Sequence, residues 1–287
     1  MPVVLLQIAN LLSGIGNGAV MVIIPWLVLE RTDSAAAAGL VAAVSTLPAL
    51  VVVPAVGVAI DRFGRKPMSV ISDLASAVSV IAFPVVGWLV GLDLFWILLL
   101  AVLGASLDPA GYTARKSLIV DAARAGKVRL ETLNGVHEAL FAAGWTLGPL
   151  VGAGLIATLG AEQGMWVPGA LFVIAAACIA AMKVSDAGQA ALEHADVVTG
   201  LAGLTRGVIA LWQDKALRTL TIAIMVLAGV YLPTESVILP VYFEGLGQPE
   251  GLGFVIAALA GGGVLGAFAY GPLSRHLTDY QIIRIAL

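Results

Sequence analysis

The sequence predicts an all-α protein that crosses a lipid bilayer many times, and three observations predict it. Of its 287 residues, 60% are hydrophobic and 11% charged, with a mean hydropathy of +1.01. A soluble domain is nearer half apolar and about a quarter charged, so the excess apolar surface calls for lipid rather than a larger core. Apolar runs of about 20 residues recur, each long enough to cross the hydrocarbon as a helix, and they lack the alternation of a membrane barrel strand. Finally, all but one of the basic residues fall in alternate connections between those runs.

Eight spans follow in order, at roughly 3–29, 36–60, 67–91, 94–120, 132–160, 164–183, 216–243 and 251–272. The opening "MPVVLLQIANLLSG" has no basic leader, so it reads as an uncleaved first span. "ERTDS" separates spans one and two, and "GVAIDRFGRKP" separates two and three. Pro67 there suits the first turn of the third helix, where a missing N–H costs nothing. "GLD" precedes span four, "ARAGKVR" follows it, and "GAEQG" precedes span six. Span seven ends at "LPVYFEG", and "GLGQPE" leads into span eight.

Arg62, Arg65, Lys66, Arg115, Lys116, Arg124, Lys127 and Arg129 fall in one set of connections, as does every basic residue from Lys183 onward; the other set holds only Arg31. The positive-inside rule makes the basic set cytoplasmic and puts the N-terminus inside, in a plasma membrane. Acids prevail on the other side, at Glu30, Asp33, Asp93, Glu162, Glu244 and Glu250. Three units are expected: an N-terminal six-helix bundle over 1–183, a cytoplasmic linker over 184–215, and a partial second bundle over 216–287. In the linker, "LAGLTRGVIALWQD" has the pattern of an amphipathic helix lying at the interface. The last two spans are expected to attach loosely to the six.

An internal repeat supports that division. "IPWLVLE" ends span one and "LPVYFEG" ends span seven; Gly39 and Gly253 follow at similar spacing, and Gly57 and Gly271 follow those. If the unit is six spans, the chain holds one unit and a third of another, and "IIRIAL" reads as the start of a ninth span. The sequence thus has the look of one that stops short at its C-terminus.

The turn between spans two and three resembles the signature of the major facilitator superfamily, G-x-x-x-D-R-x-G-R-[RK]. Gly57, Asp61, Arg62, Gly64, Arg65 and Lys66 match it. A solvated positive-inside turn would explain the charge but not the two glycines and the acid. The resemblance implies a fold of twelve helices in two halves, of which about eight are present. It also implies that this turn gates the cytoplasmic side through contacts that include the second half. Span five reads "GWTLGPLVGAG", and its Gly144, Gly148, Pro149 and Gly152 resemble the antiporter motif of drug exporters, with Ala153 in place of the last glycine. Generic small-residue packing would account for Gly144 and Gly148 alone. Neighbouring text, such as "LGASLDPAGYTARKSLIVDAA", is similar to the macrolide, multidrug and siderophore exporter branch. Two departures stand out: Asn17 where that branch often has an acid, and Leu100 where many drug exporters carry an arginine.

Acids inside spans are expensive and mark candidate proton or substrate sites. Asp73, near the cytoplasmic interface, reads equally as a helix-end charge beside Arg65 and Lys66. Asp108 precedes Pro109 in span four, where proline frees a backbone carbonyl. His137 and Glu138 are adjacent in span five and could relay a proton, although pairing of Glu138 with Arg115 or Lys116 is the stronger reading. Glu235 lies between Pro233 and Pro240 in span seven. Asn17, beside the span-one glycines, completes the candidates.

The expected function is secondary, proton-coupled export of a small amphipathic compound such as a drug or siderophore-like molecule. Its partners are that small-molecule substrate, protons and the lipid bilayer. No nucleic-acid contact, cofactor or metal is implied: Cys178 stands alone, and no Cys/His cluster has ligand spacing. No Walker A signature or nucleophile–base constellation points to an enzyme. The alternatives are a facilitator-fold importer of a small polar solute, which the span-five motif argues against, and a non-transporting truncated product. Substrate identity, coupling ion and oligomeric state are not written in the sequence.

Overall fold

The computed structural model describes residues 1–184, 212–213 and 215–273. Helix α1 (Pro2–Thr32) starts on a proline in its first turn and ends where Asp33 turns left-handed. Ser34 then caps α2 (Ala35–Phe63), its side chain accepting from the Ala37 N–H at 3.2 Å. One residue, Gly64, separates α2 from α3 (Arg65–Val90). Its φ of 90° and ψ of 154° lie in a region that essentially only glycine enters, which allows the chain to reverse in a single step. Asp93 caps α4 (Leu94–Gly126), accepting from the Trp96 N–H. Helix α5 (Leu130–Leu159) follows, then the short α6 (Ala161–Gly164) running into α7 (Trp166–Ala181).

The predicted seventh span is α8 (Lys215–Pro233), one widened turn of π-type hydrogen bonding (Thr234–Ile238) and α9 (Leu239–Gly245). The predicted eighth is α10 (Pro249–Leu273). Among the described residues, α1, α3, α4, α5, the α6–α7 segment and Arg218–Gly245 are long and apolar enough to cross a membrane. The predicted amphipathic helix of the 184–215 linker and the start of a ninth span lie outside the described residues.

Helix α1 is the axis of the bundle. It packs on α5 and α7 along most of its length and touches α4. Val22, Ile23 and Leu27 are buried with Phe83, Leu100 and Phe172 in one cluster, and Leu6 with Leu118, Leu133 and Ile179 in another. Outward-facing Trp88, Val78 and Phe95 are broadly exposed and apolar, as a surface bathed in lipid requires.

The close approach of α1 and α5 has a specific cause. Gly14 and Gly18 face Gly144 and Gly148, and Ala19 faces Gly152. A Cβ on Gly144 would stand 3.0 Å from the Gly14 backbone, and one on Gly152 would stand 2.7 Å from the Ala19 carbonyl oxygen. Small residues on both faces let the two backbones touch, which supplies dispersion where lipid removes any hydrophobic drive.

The second-half helices behave differently from each other. Helix α8 is exposed along its apolar face, at Met225 and Val226 for example. Helix α10 departs from the expectation of loose attachment: it lies along α5, and a Cβ on Gly253 would meet the Pro149 carbonyl oxygen at 2.7 Å. The side of α5 that carries Ala153, away from α1, is its seat.

Candidate functional site

A cavity of about 360 Å³ opens between α1, α2, α3, α4 and the widened turn after α8. Its walls are mainly apolar, with Phe83, Phe172 and Trp145 supplying aromatic surface. Three of the predicted candidates meet here. Asn17 from α1 donates from Nδ2 to Asp108 Oδ1 of α4 at 2.8 Å. Glu235 enters from the opposite wall and faces the Tyr231 hydroxyl one turn earlier on its own helix. Pro109 cannot donate a helical bond to the Ala105 carbonyl, and Ala105 lines the same cavity, so a backbone acceptor lies beside Asp108. Leu100, in the place of the expected arginine, is an apolar part of the wall. Among the described lining residues there is no Lys, Arg or His.

Below the cavity runs a polar seam that the sequence reading missed. Helix α3 carries Ser69, Ser72, Ser76 and Ser79 on one face, all buried, together with Asp73. Ser76 and Ser79 line the cavity, while Ser72 and Ser69 continue beneath it. Helix α4 meets this stripe with Gly104 against Ser79 and Gly111 against Ser72. The spacing of three and four residues was the available signal.

Asp73 requires a correction. It does not sit at a helix end beside Arg65 and Lys66. It is 2% exposed and bound to Arg115, whose Nη1 donates to Oδ1 at 2.6 Å. Arg115, assigned from sequence to a cytoplasmic connection, is itself 3% exposed inside α4. Ser13 of α1 closes the group, accepting from Arg115 Nη2 at 2.9 Å and donating to Asp73 Oδ1 at 3.2 Å.

His137 and Glu138 do not form a pair either. Being neighbours on a helix, they leave it about 100° apart. His137 is fully buried, neither ring nitrogen has a partner among the described residues, and its carbonyl accepts from Asn10 Nδ2 at 2.9 Å. Glu138 is paired with Lys116 at 2.7 Å on a half-exposed surface.

In the turn after α2, Arg65 reaches Asp121 of α4 at 3.1 Å, and Lys66 donates to the Met182 carbonyl beyond α7 at 2.8 Å. These contacts tie the start of α3 to α4 and to the residue after α7. Arg62 is exposed and lies over the Phe63 ring. The surroundings of Gly57 and the side chains of Val58 and Asp61 lie outside the described residues. Among the described residues, the span-five motif, Gly144, Gly148, Pro149 and Gly152, forms the α1 seat on one side and, through Pro149, the α10 seat on the other. Among the described residues, no group of three or more His, Cys, Asp or Glu is placed to hold a metal.

Residues 6–287 match the profile of the Major Facilitator Superfamily. The chain belongs to that family of transporters. It is 41% identical over 282 residues to the multidrug efflux pump Tap of Mycolicibacterium fortuitum, an alignment covering 96% of this chain and 68% of that protein. It is 37% identical over 277 residues to the multidrug efflux pump Tap of Mycobacterium tuberculosis, covering 95% of this chain and 66% of that protein. The chain therefore spans about two thirds of the length of these relatives. A facilitator assignment fits the all-helical architecture and the central cavity, and it places the protein among carriers rather than enzymes.

Proposed function

We propose that the chain belongs to a proton-coupled exporter of small amphipathic compounds, cationic ones in particular. The cavity carries the reading. Its volume suits a small-molecule ligand, its walls are apolar and aromatic, and its two acids, Asp108 and Glu235, stand without a basic residue among the described lining. An apolar cation would gain dispersion from the walls and charge pairing from either acid, in surroundings where water screens little. Relatives that are multidrug efflux pumps support the outward direction.

In this reading the cavity is the substrate site, and alternating access moves it between the two faces of the membrane. The Gly57–Lys66 turn gates the cytoplasmic face, with Gly64 as its pivot. Membership of a plasma membrane with the N-terminus inside is supported by the charge asymmetry. The test is accumulation of a cationic dye and a neutral dye in an efflux-deficient host, with and without a protonophore. Export of the cation that stops with the protonophore and with Asp108→Asn is expected. Unchanged accumulation relative to a host without the protein would refute the reading.

A further inference from the structure

We infer that Arg115 is a shared internal counter-ion. It is held by Asp73 as seen here and passes to Asp108 when Asp73 is neutralised, so that the cavity and the cytoplasmic end of the α3–α4 seam sense each other's charge.

The geometry is unfinished for a purely structural ion pair. A buried pair repays its desolvation only when its remaining polar atoms are also bonded. Here Asp73 Oδ2 and Arg115 Nε are buried without a partner among the described residues. Around them Ser69 Oγ, both polar atoms of Gln7, Asn10 Oδ1 and both His137 nitrogens are buried and unpartnered too. So many orphaned groups in one region make a polar seam with room for other hydrogen bonds. A guanidinium in such a place has somewhere to move.

The path upward runs past Gly111 and the Ser72 side chain. Asp108 and Arg115 are seven residues apart on α4, on one face and about 10 Å apart along the axis. Gly111 stands between them and offers no side chain. A Cβ there would stand 3.4 Å from Arg115 Nη1 and 2.5 Å from Ser72 Oγ, so an alanine would narrow the lane. The groups facing Arg115 are Asp73 from α3, the Ser13 hydroxyl from α1, the His137 imidazole from α5, and Asp108 on its own helix. Helix α2 meets α4 with Val56 and Ile60 against Ala110 and Ala114. Lys116 is occupied by Glu138.

The step balances simply. A proton from cytoplasmic water adds to a carboxylate oxygen of Asp73, one O–H bond forms, and the carboxylate charge is lost. Arg115 keeps its charge, and the anion left on its face is Asp108. Conversely, a proton or a cation bound at Asp108 returns Arg115 to Asp73. Coupling of this kind is reciprocal. It deepens the exporter reading and rests on that reading for its purpose, though not for its geometry.

The test reads the seam without transport. Ser69→Cys is introduced with Cys178→Ser, and its labelling by a small thiol reagent in open membranes is followed against pH, normalised to denatured protein. Labelling should rise as pH falls, because release of Arg115 loosens the seam. Asp73→Asn should hold it high at all pH, about fivefold or more above the parent at high pH. Asp108→Asn, more than two turns away, should shift the parent's pH curve, and that shift should vanish in the Asp73→Asn/Arg115→Gln double variant, which removes both charges together and so leaves neither ion stranded. A curve unmoved by Asp108→Asn, or moved equally in the double variant, overturns the switch. Equal labelling of Ala175→Cys, buried elsewhere in the bundle, would show general loosening and overturn it as well. Dye export by the same parent fails or succeeds separately: a parent that exports nothing refutes the exporter reading while the labelling still decides the switch.

Discussion

Gly18 of α1 and Gly148 of α5 meet backbone to backbone: a Cβ on Gly148 would stand 2.6 Å from Gly18 Cα and 2.8 Å from the Ile15 carbonyl oxygen. Neither neighbour is the end of a flexible side chain, so the helices themselves would have to part. Gly148→Ala should therefore destabilise the protein by about 1–3 kcal/mol, the usual cost of overpacking. Gly154→Ala, on the same helix with open space around it, should be neutral within about 0.5 kcal/mol. Thermal unfolding in detergent, followed by size-exclusion fluorescence, compares them; equal losses would mean that the contact carries no special load.

The Arg65–Asp121 pair fixes the start of α3 to α4, beside the turn proposed as a gate. Asp121 is nearly buried while Arg65 is partly exposed. Removing Arg65 should then cost more than an exposed pair would, because Asp121 is left unpaired. Arg65→Gln and Asp121→Asn should each impair export, and the double variant should be no worse than the poorer single, a coupling of about 1 kcal/mol or more. Strictly additive losses would show that the two residues act independently.

Much of this arrangement was legible in one dimension. Span positions follow from apolar runs, and the Gly64 turn from a glycine set among charges, since both are local properties. Glycines at 144, 148 and 152 announced a close approach, and the matching Gly14 and Gly18 lie in plain view in "SGIGNG". The Asp73–Arg115 bond was not legible. It joins residues 42 apart, and a sequence does not say which faces of two helices meet. Arg115 was therefore counted among the loop cations. The seat of α10 on α5 was hidden for the same reason: Gly253 alone does not name Pro149 as its neighbour.

The placement of the two membrane faces gives a further outcome. Lys127 closes the turn after α4, and Gly247 lies in the turn after α9, on connections of opposite predicted side. In a Cys178→Ser background, an impermeant thiol reagent should label Gly247→Cys in intact cells and Lys127→Cys only after lysis. Early labelling of Lys127→Cys would reverse the orientation taken from the basic residues.

Glu235 is presented to the cavity by a backbone irregularity rather than by a regular helix. It sits in the widened turn Thr234–Ile238, just before Pro240. Pro240 has no N–H for the Ser236 carbonyl, and its ring would press on that carbonyl in a regular α-helix. One wide turn relieves the clash by taking up an extra residue, a device often found at functional positions. Pro240→Ala would allow the α-helical ladder to close, and loss of one residue from the turn would rotate what precedes it by about 100° relative to α9. Glu235 would then leave the cavity wall. Pro240→Ala should accordingly reproduce Glu235→Gln: export of a cationic dye should fall roughly tenfold, the worth of one charge-assisted contact, while a neutral dye is spared. Pro240→Ala with cationic export intact would show that the proline does not aim the acid. Equal loss of cationic and neutral dyes in Glu235→Gln would remove the charge-recognition role from Glu235 itself.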